Sequence, residues 1–111
     1  METLERHHEI VELYERYYPL LTIKQQNILE YYYIDNYSLS EISELNHISR
    51  NAVHDLIKRT VSKLYDYERK LKLNQKRNAR LKLIDALQNA STDAEIKQLL
   101  DELEKVETDG I

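Results

Sequence analysis

Apolar positions along the chain follow helical spacings of three and four from the start. Leu4, Ile10, Val11, Tyr14, Tyr17 and Tyr18 keep that rhythm until Pro19 interrupts it, which predicts a first helix over 3–18. Thr22 and Gln25 stand at the spacing of a capping box, in which the hydroxyl accepts from the third helical N–H and the amide reaches back to the cap. They open a second helix whose inward stripe is Ile28, Leu29, Tyr32 and Tyr33, ending near Asp35 and Asn36. Ser38 with Glu41 forms the same pattern before a short third helix carrying Leu39, Ile42 and Leu45. Ser49 caps a fourth that begins at Arg50, turns Val53, Leu56, Ile57, Val61 and Leu64 inward, and meets no helix breaker before Leu73. Asn74 is the expected interruption. Beyond it lie a basic fifth helix with Leu81, Leu83, Ile84 and Leu87, and an acidic sixth capped by Thr92 with Glu95 and carrying Ile96, Leu99, Leu100 and Leu103, with a frayed tail after Val106.

The pattern predicts an all-α chain: a helix-turn-helix core over 1–66, and a helical extension over 67–111 that packs on the core or on a second subunit, giving a homo-oligomer. Composition agrees. One glycine and one proline in 111 residues leave few turns for a sheet, and the length suits one domain with a helical extension. There is no cysteine, which removes disulfides and thiol chemistry. No stretch nears the roughly 20 apolar residues of a membrane span, and METLERHHEI lacks the apolar centre of a signal peptide, so a cytoplasmic protein is expected.

Net charge changes the picture more. The formal value is −4, but residues 1–48 carry three Lys/Arg against nine Asp/Glu, 49–82 carry eleven against three, and 83–111 carry two against eight. The basic character is concentrated in the middle, where it suits a polyanion. Within 39–58, Ile42, Ile48, Val53 and Ile57 stand where a helix-turn-helix needs apolar side chains to lock its helices, and small Ser43 permits close approach. Arg50, Asn51, His54, Asp55 and Lys58 then share the opposite face, the one a recognition helix lays in the major groove. Arg pairs bidentately with guanine and Asn with adenine, while Lys58, Arg59, Lys63 and the basic run 69–82 suit phosphates. Asp55 would face phosphate unless it accepts from a cytosine amine or pairs with Arg59.

The segment LLTIKQQNILEYYYIDNYSLSEISELNHISRNAVHDLIKRT resembles the fourth region of bacterial sigma factors, which reads the −35 promoter element, in its capped second helix, its EIS step and its Ile-Ser-x-x-x-Val junction. LLTIKQQ, SLSEIS, ISRNAVHDLIKRT and YERKL resemble more closely the YlxM family, small proteins of low-GC Gram-positive bacteria encoded beside signal recognition particle genes. The resemblance extends over nearly the whole chain, including the long helix beyond Leu64 that sigma regions lack. It implies a sigma region 4-like helix-turn-helix bundle, a regulatory role, and participation in the signal recognition particle pathway inferred from gene neighbourhood. His47 departs from the glycine preferred at the sigma turn, Asn46 from an apolar residue, and Asp55 and Leu56 from the Ser and Arg often found in the recognition helix.

Other chemistry is weaker. Nine tyrosines include the run 31–33, which spans most of a helical turn, so one ring must face the core and another lie wet at the surface. His7, His8, His47 and His54 have no carboxylate at familiar ligand spacing, and neither a P-loop nor a nucleophile elbow is present, so no metal, cofactor or catalysis is expected. Two readings remain. One is a nucleic-acid-binding regulator contacting DNA or the signal recognition particle RNA through Arg50, Asn51, His54, Lys58, Arg59 and Lys63; the other is a module that binds the particle's protein components without reading bases.

Overall fold

The computed structural model describes residues 2–109, and among these there is no β-strand. Six α-helices follow one another: α1 Leu4–Tyr17, α2 Ile23–Leu29, α3 Leu39–Asn46, α4 Arg50–Leu71, α5 Leu73–Gln88 and α6 Asp93–Asp109. The chain divides into two compact units, Met1–Lys70 and Leu71–Ile111.

In the first unit Thr3 caps α1, its hydroxyl accepting from the Arg6 N–H at 3.1 Å. The buried face of α1 is Ile10, Leu13, Tyr14 and Tyr17, an i, i+3, i+4, i+7 stripe. Leu13 completes the stripe beside the expected residues, while Leu4 is 85% exposed and Tyr18 lies exposed in the 3₁₀ turn Tyr18–Leu20 that carries Pro19. Both capping boxes form: Thr22 Oγ1 accepts from Gln25 N–H at 3.2 Å and Ser38 Oγ from Glu41 N–H at 3.1 Å, each with its reciprocal bond at 3.0 Å.

After Leu29 the second helix widens into a π turn, Glu30–Ile34, closed by the Asp35 N–H on the Glu30 carbonyl at 2.8 Å. Asn36 then takes a left-handed backbone at φ 59°. The widened turn distributes the three tyrosines differently. Tyr33 is buried, Tyr32 half-buried and edge-on to it at 5.0 Å, and Tyr31 half-buried and stacked on Tyr37 at 5.3 Å. One apolar cluster joins α1 to α4 through Ile10, Leu29, Ile42, Val53 and Leu64. Leu45, expected inward, is 54% exposed, and Leu56 is half-buried at the rim of the cluster.

The long fourth helix exists, at 22 residues, but ends at Leu71 rather than at Asn74. Lys72 breaks it in a left-handed conformation, φ 55° and ψ 28°, and its carbonyl accepts from Lys76 N–H as the first bond of α5. Asn74 is buried in the first turn of the next helix instead. In the second unit α5 and α6 pack on one another, with Val106 buried and Arg80 bridging to Glu107 at 2.8 Å. Thr92 caps α6 as expected, but the Glu95 carboxylate accepts from the Ser91 N–H, one residue before the cap. Helix α6 continues past Val106 to Asp109, where a frayed tail was expected; Gly110 and Ile111 lie outside the described residues.

Candidate nucleic-acid interface

The turn between α3 and α4 sets the position of every candidate side chain. His47 ends α3 with φ 54° and ψ 40°, so an imidazole residue occupies the left-handed position that usually favours glycine. Its N–H and that of Ile48 both reach the Ser43 carbonyl, the 6→1 bond from Ile48 being 3.3 Å long. The Ser43 hydroxyl in turn donates to the Ile48 carbonyl, so Ser43 fastens the turn as well as allowing close approach. Asn46, which replaces the usual apolar residue, donates its amide to the Ile42 carbonyl at 2.9 Å. Ser49 Oγ then accepts from Ala52 N–H at 3.0 Å and opens α4. Buried Ile42, Val53 and Ile57 fix the two helices from below. The backbone N–H of Ser38, and then its hydroxyl, hold the Glu41 carboxyl below its ordinary range, the signature of a formed cap.

Arg50, Asn51, His54, Lys58, Arg59 and Lys63 are all exposed. They do not share one face. At about 100° per residue, Arg50, His54 and Lys58 advance by about 40° at each step, whereas Lys63 lies about 140° round from Lys58 with Arg59 between them. Arg50, Asn51 and His54 line an open depression with Leu39 and Ser49 at the start of α4, where the amide dipoles add positive potential. His54 and Lys58 also border a second concavity, which Tyr65 of the same helix lines together with Glu2 and Arg6 from the N-terminal segment. Arg59 and Lys63 flank the opposite side of α4. The Asp55 carboxylate approaches His54 Nδ1 at 3.8 Å, while Arg59 Nε donates to the Asp55 backbone carbonyl at 3.4 Å, so the expected Asp55–Arg59 side-chain pair does not form. In the basic run beyond, Arg69 pairs with Asp66 and Arg80 with Glu107.

Sequence reasoning missed a set of phenol–carboxylate bonds. Tyr33 donates to Glu2 at 2.7 Å, Tyr14 to Glu30 at 2.6 Å, Tyr17 to Glu68 at 2.6 Å, and Tyr65 to Glu9. The Arg6 guanidinium lies 5.0 Å over the Tyr65 ring. Burial first, then the hydrogen bond and charge of the Glu9 carboxylate, push the Tyr65 phenol up to about 12; the same causes from Glu2 and Glu30 raise Tyr33 and Tyr14. These partners are 16 to 56 residues apart, beyond the reach of local spacing rules. Among the described residues, no helix is long and apolar enough to cross a membrane.

Residues 4–103 match a protein family described as "Putative helix-turn-helix protein, YlxM / p13 like" (UPF0122). A UPF0122 protein of Limosilactobacillus reuteri (strain DSM 20016) is 46% identical over 109 residues, covering 94% of this chain and 96% of that protein. The corresponding figures are 44% over 95 residues, 86% and 90%, for one from Oceanobacillus iheyensis, and 42% over 106 residues, 95% and 99%, for one from Bacillus licheniformis. With a formed helix-turn-helix at its centre and relatives matched along almost their whole length, this chain belongs to the YlxM / p13-like helix-turn-helix family, UPF0122.

Proposed function

We propose that this chain is a cytoplasmic helix-turn-helix regulator that binds nucleic acid with the first four turns of α4. The observation that carries the reading is the exposed group Arg50, Asn51, His54 and Lys58 at the open end of a helix held by the Ser49 cap and the left-handed His47 turn. Arg50 and Asn51, first at the tip, read base edges; Lys58 contacts phosphate, and Arg59 and Lys63, on the other flank, contact the strand across the groove. Arg69 and Arg80 have carboxylate partners, so these two contribute least to phosphate binding within the basic run 69–82, and the reading places the leading contacts on the opening turns of α4.

Gene neighbourhood, carried by the family resemblance, makes the signal recognition particle RNA the structured RNA to compare with duplex DNA. Fluorescence anisotropy of both at about 50 mM salt, where electrostatic attraction is little screened, tests the reading. Binding by wild type that falls on Arg50→Ala, with relaxed preference at one base position at a cost of about 1–3 kcal/mol, supports it. Absence of binding to either nucleic acid overturns it and favours the module that contacts the particle's proteins.

A further inference from the structure

Residues 73–109 form a helical hairpin in which Leu83, Leu87, Leu99 and Leu103 are half-buried while Leu81, Ile84, Ile96 and Leu100 stay exposed. Val106 is its one buried apolar residue among those described, while Ile84 is 42% and Leu100 50% exposed. At about 100° per residue, Leu81 and Ile84 fall within about 60° of one another on α5, and Ile96 and Leu100 within about 40° on α6. Each helix therefore carries an apolar stripe with nothing over it in a unit of about forty residues, a size at which a fold usually needs oligomerisation or another staple.

Charge selects the occupant. Helix α5 carries four Lys/Arg against one Asp, whereas α6 carries seven Asp/Glu against two Lys. A partner of one sign is attracted by one helix and repelled by the other. A second copy escapes that conflict, because a two-fold axis sets α5 of each hairpin against α6 of the other and every favourable contact is made twice. We propose that this chain forms a two-fold dimer in which α5 and α6 of two copies close into a four-helix bundle over Leu81, Ile84, Ile96 and Leu100. The dimer does not depend on nucleic-acid binding and stands or falls separately.

Sedimentation equilibrium of the full chain, without nucleic acid, tests it. Wild type should sediment as a dimer whose dissociation constant rises several-fold between about 0.05 and 0.5 M salt as the opposite charges are screened. Ile84→Asp and Leu100→Asp should each sediment as monomers with unchanged helical circular dichroism, since both side chains already tolerate water. Monomeric wild type, whether because its own chain or a different protein covers the stripes, overturns the proposal, as does a dimer that survives both substitutions. Should a variant lose helicity, wild-type melting decides: a midpoint that climbs across about a hundredfold range of concentration supports the dimer, and an invariant midpoint refutes it.

Discussion

Met1–Lys70 and Leu71–Ile111 are both built from helices with apolar stripes, yet the first closes thirteen apolar side chains into one cluster and the second, among its described residues, buries one apolar side chain, Val106. Four helices with a tight turn give each apolar face a neighbour to pack on. Two helices cannot do so, because a hairpin covers only the strip where they touch. Apolar stripes are thus present in both units while closure is found in one, and stability should reside in the first.

The largest effect is expected from breaking the cluster. Ile42→Ala, at a fully buried position beneath the turn, should cost about 2–5 kcal/mol in denaturant unfolding, because the cavity adds to the lost transfer energy. A midpoint within error of wild type would mean that the turn does not rest on this core. Alkali should act on the same unit, since all nine tyrosines lie before residue 70. The phenols of Tyr14, Tyr33 and Tyr65 are raised in the fold, so the stability they contribute is intact below the ordinary phenol value of about 10 and is lost as pH climbs through the raised values, near 12 for Tyr65. Tyrosinate absorbance followed beside circular dichroism should show these rings ionising late and together with unfolding; normal early titration of every ring would contradict the paired phenols.

A smaller loss, about 1 kcal/mol, is expected for Ser49→Ala, which removes the cap of α4 while leaving the cluster whole. Smaller still is the contribution of the Arg80–Glu107 pair in the hairpin. Both side chains are solvent-exposed, so a double-mutant cycle should return about 0.2–1 kcal/mol that fades with added salt. A coupling several times larger would show that the hairpin depends on its charges and would narrow the contrast between the units.

Local chemistry made much of this fold legible. The capping boxes at Thr22 and Ser38 and the cap at Ser49 are contacts within three residues, so their spacing announces them, and Ile42, Val53 and Ile57 could be placed because a helix-turn-helix leaves them nowhere else to go. The π turn was not legible, because no local spacing rule announces the widening after Leu29. Nor was the break at Lys72, where a residue with a Cβ takes the left-handed region two positions before the expected Asn74. At the candidate interface, residue identity and exposure were readable from periodicity. The division of the cations between two flanks of α4 follows from the helical rotation and is legible in the sequence; the Arg80–Glu107 pair and the concavity that Glu2 and Arg6 complete depend on distant chain segments and are not.

The central claim is that the cations on the first turns of α4 hold nucleic acid. The most direct test is the slope of log affinity against log salt for a duplex, measured for wild type and for the Lys58→Ala, Lys63→Ala double variant. With both side chains on phosphate, the variant's slope should be shallower by about 1.8, at about 0.9 for each contact. Equal slopes for the two proteins would place whatever binding exists elsewhere on the chain and contradict the account.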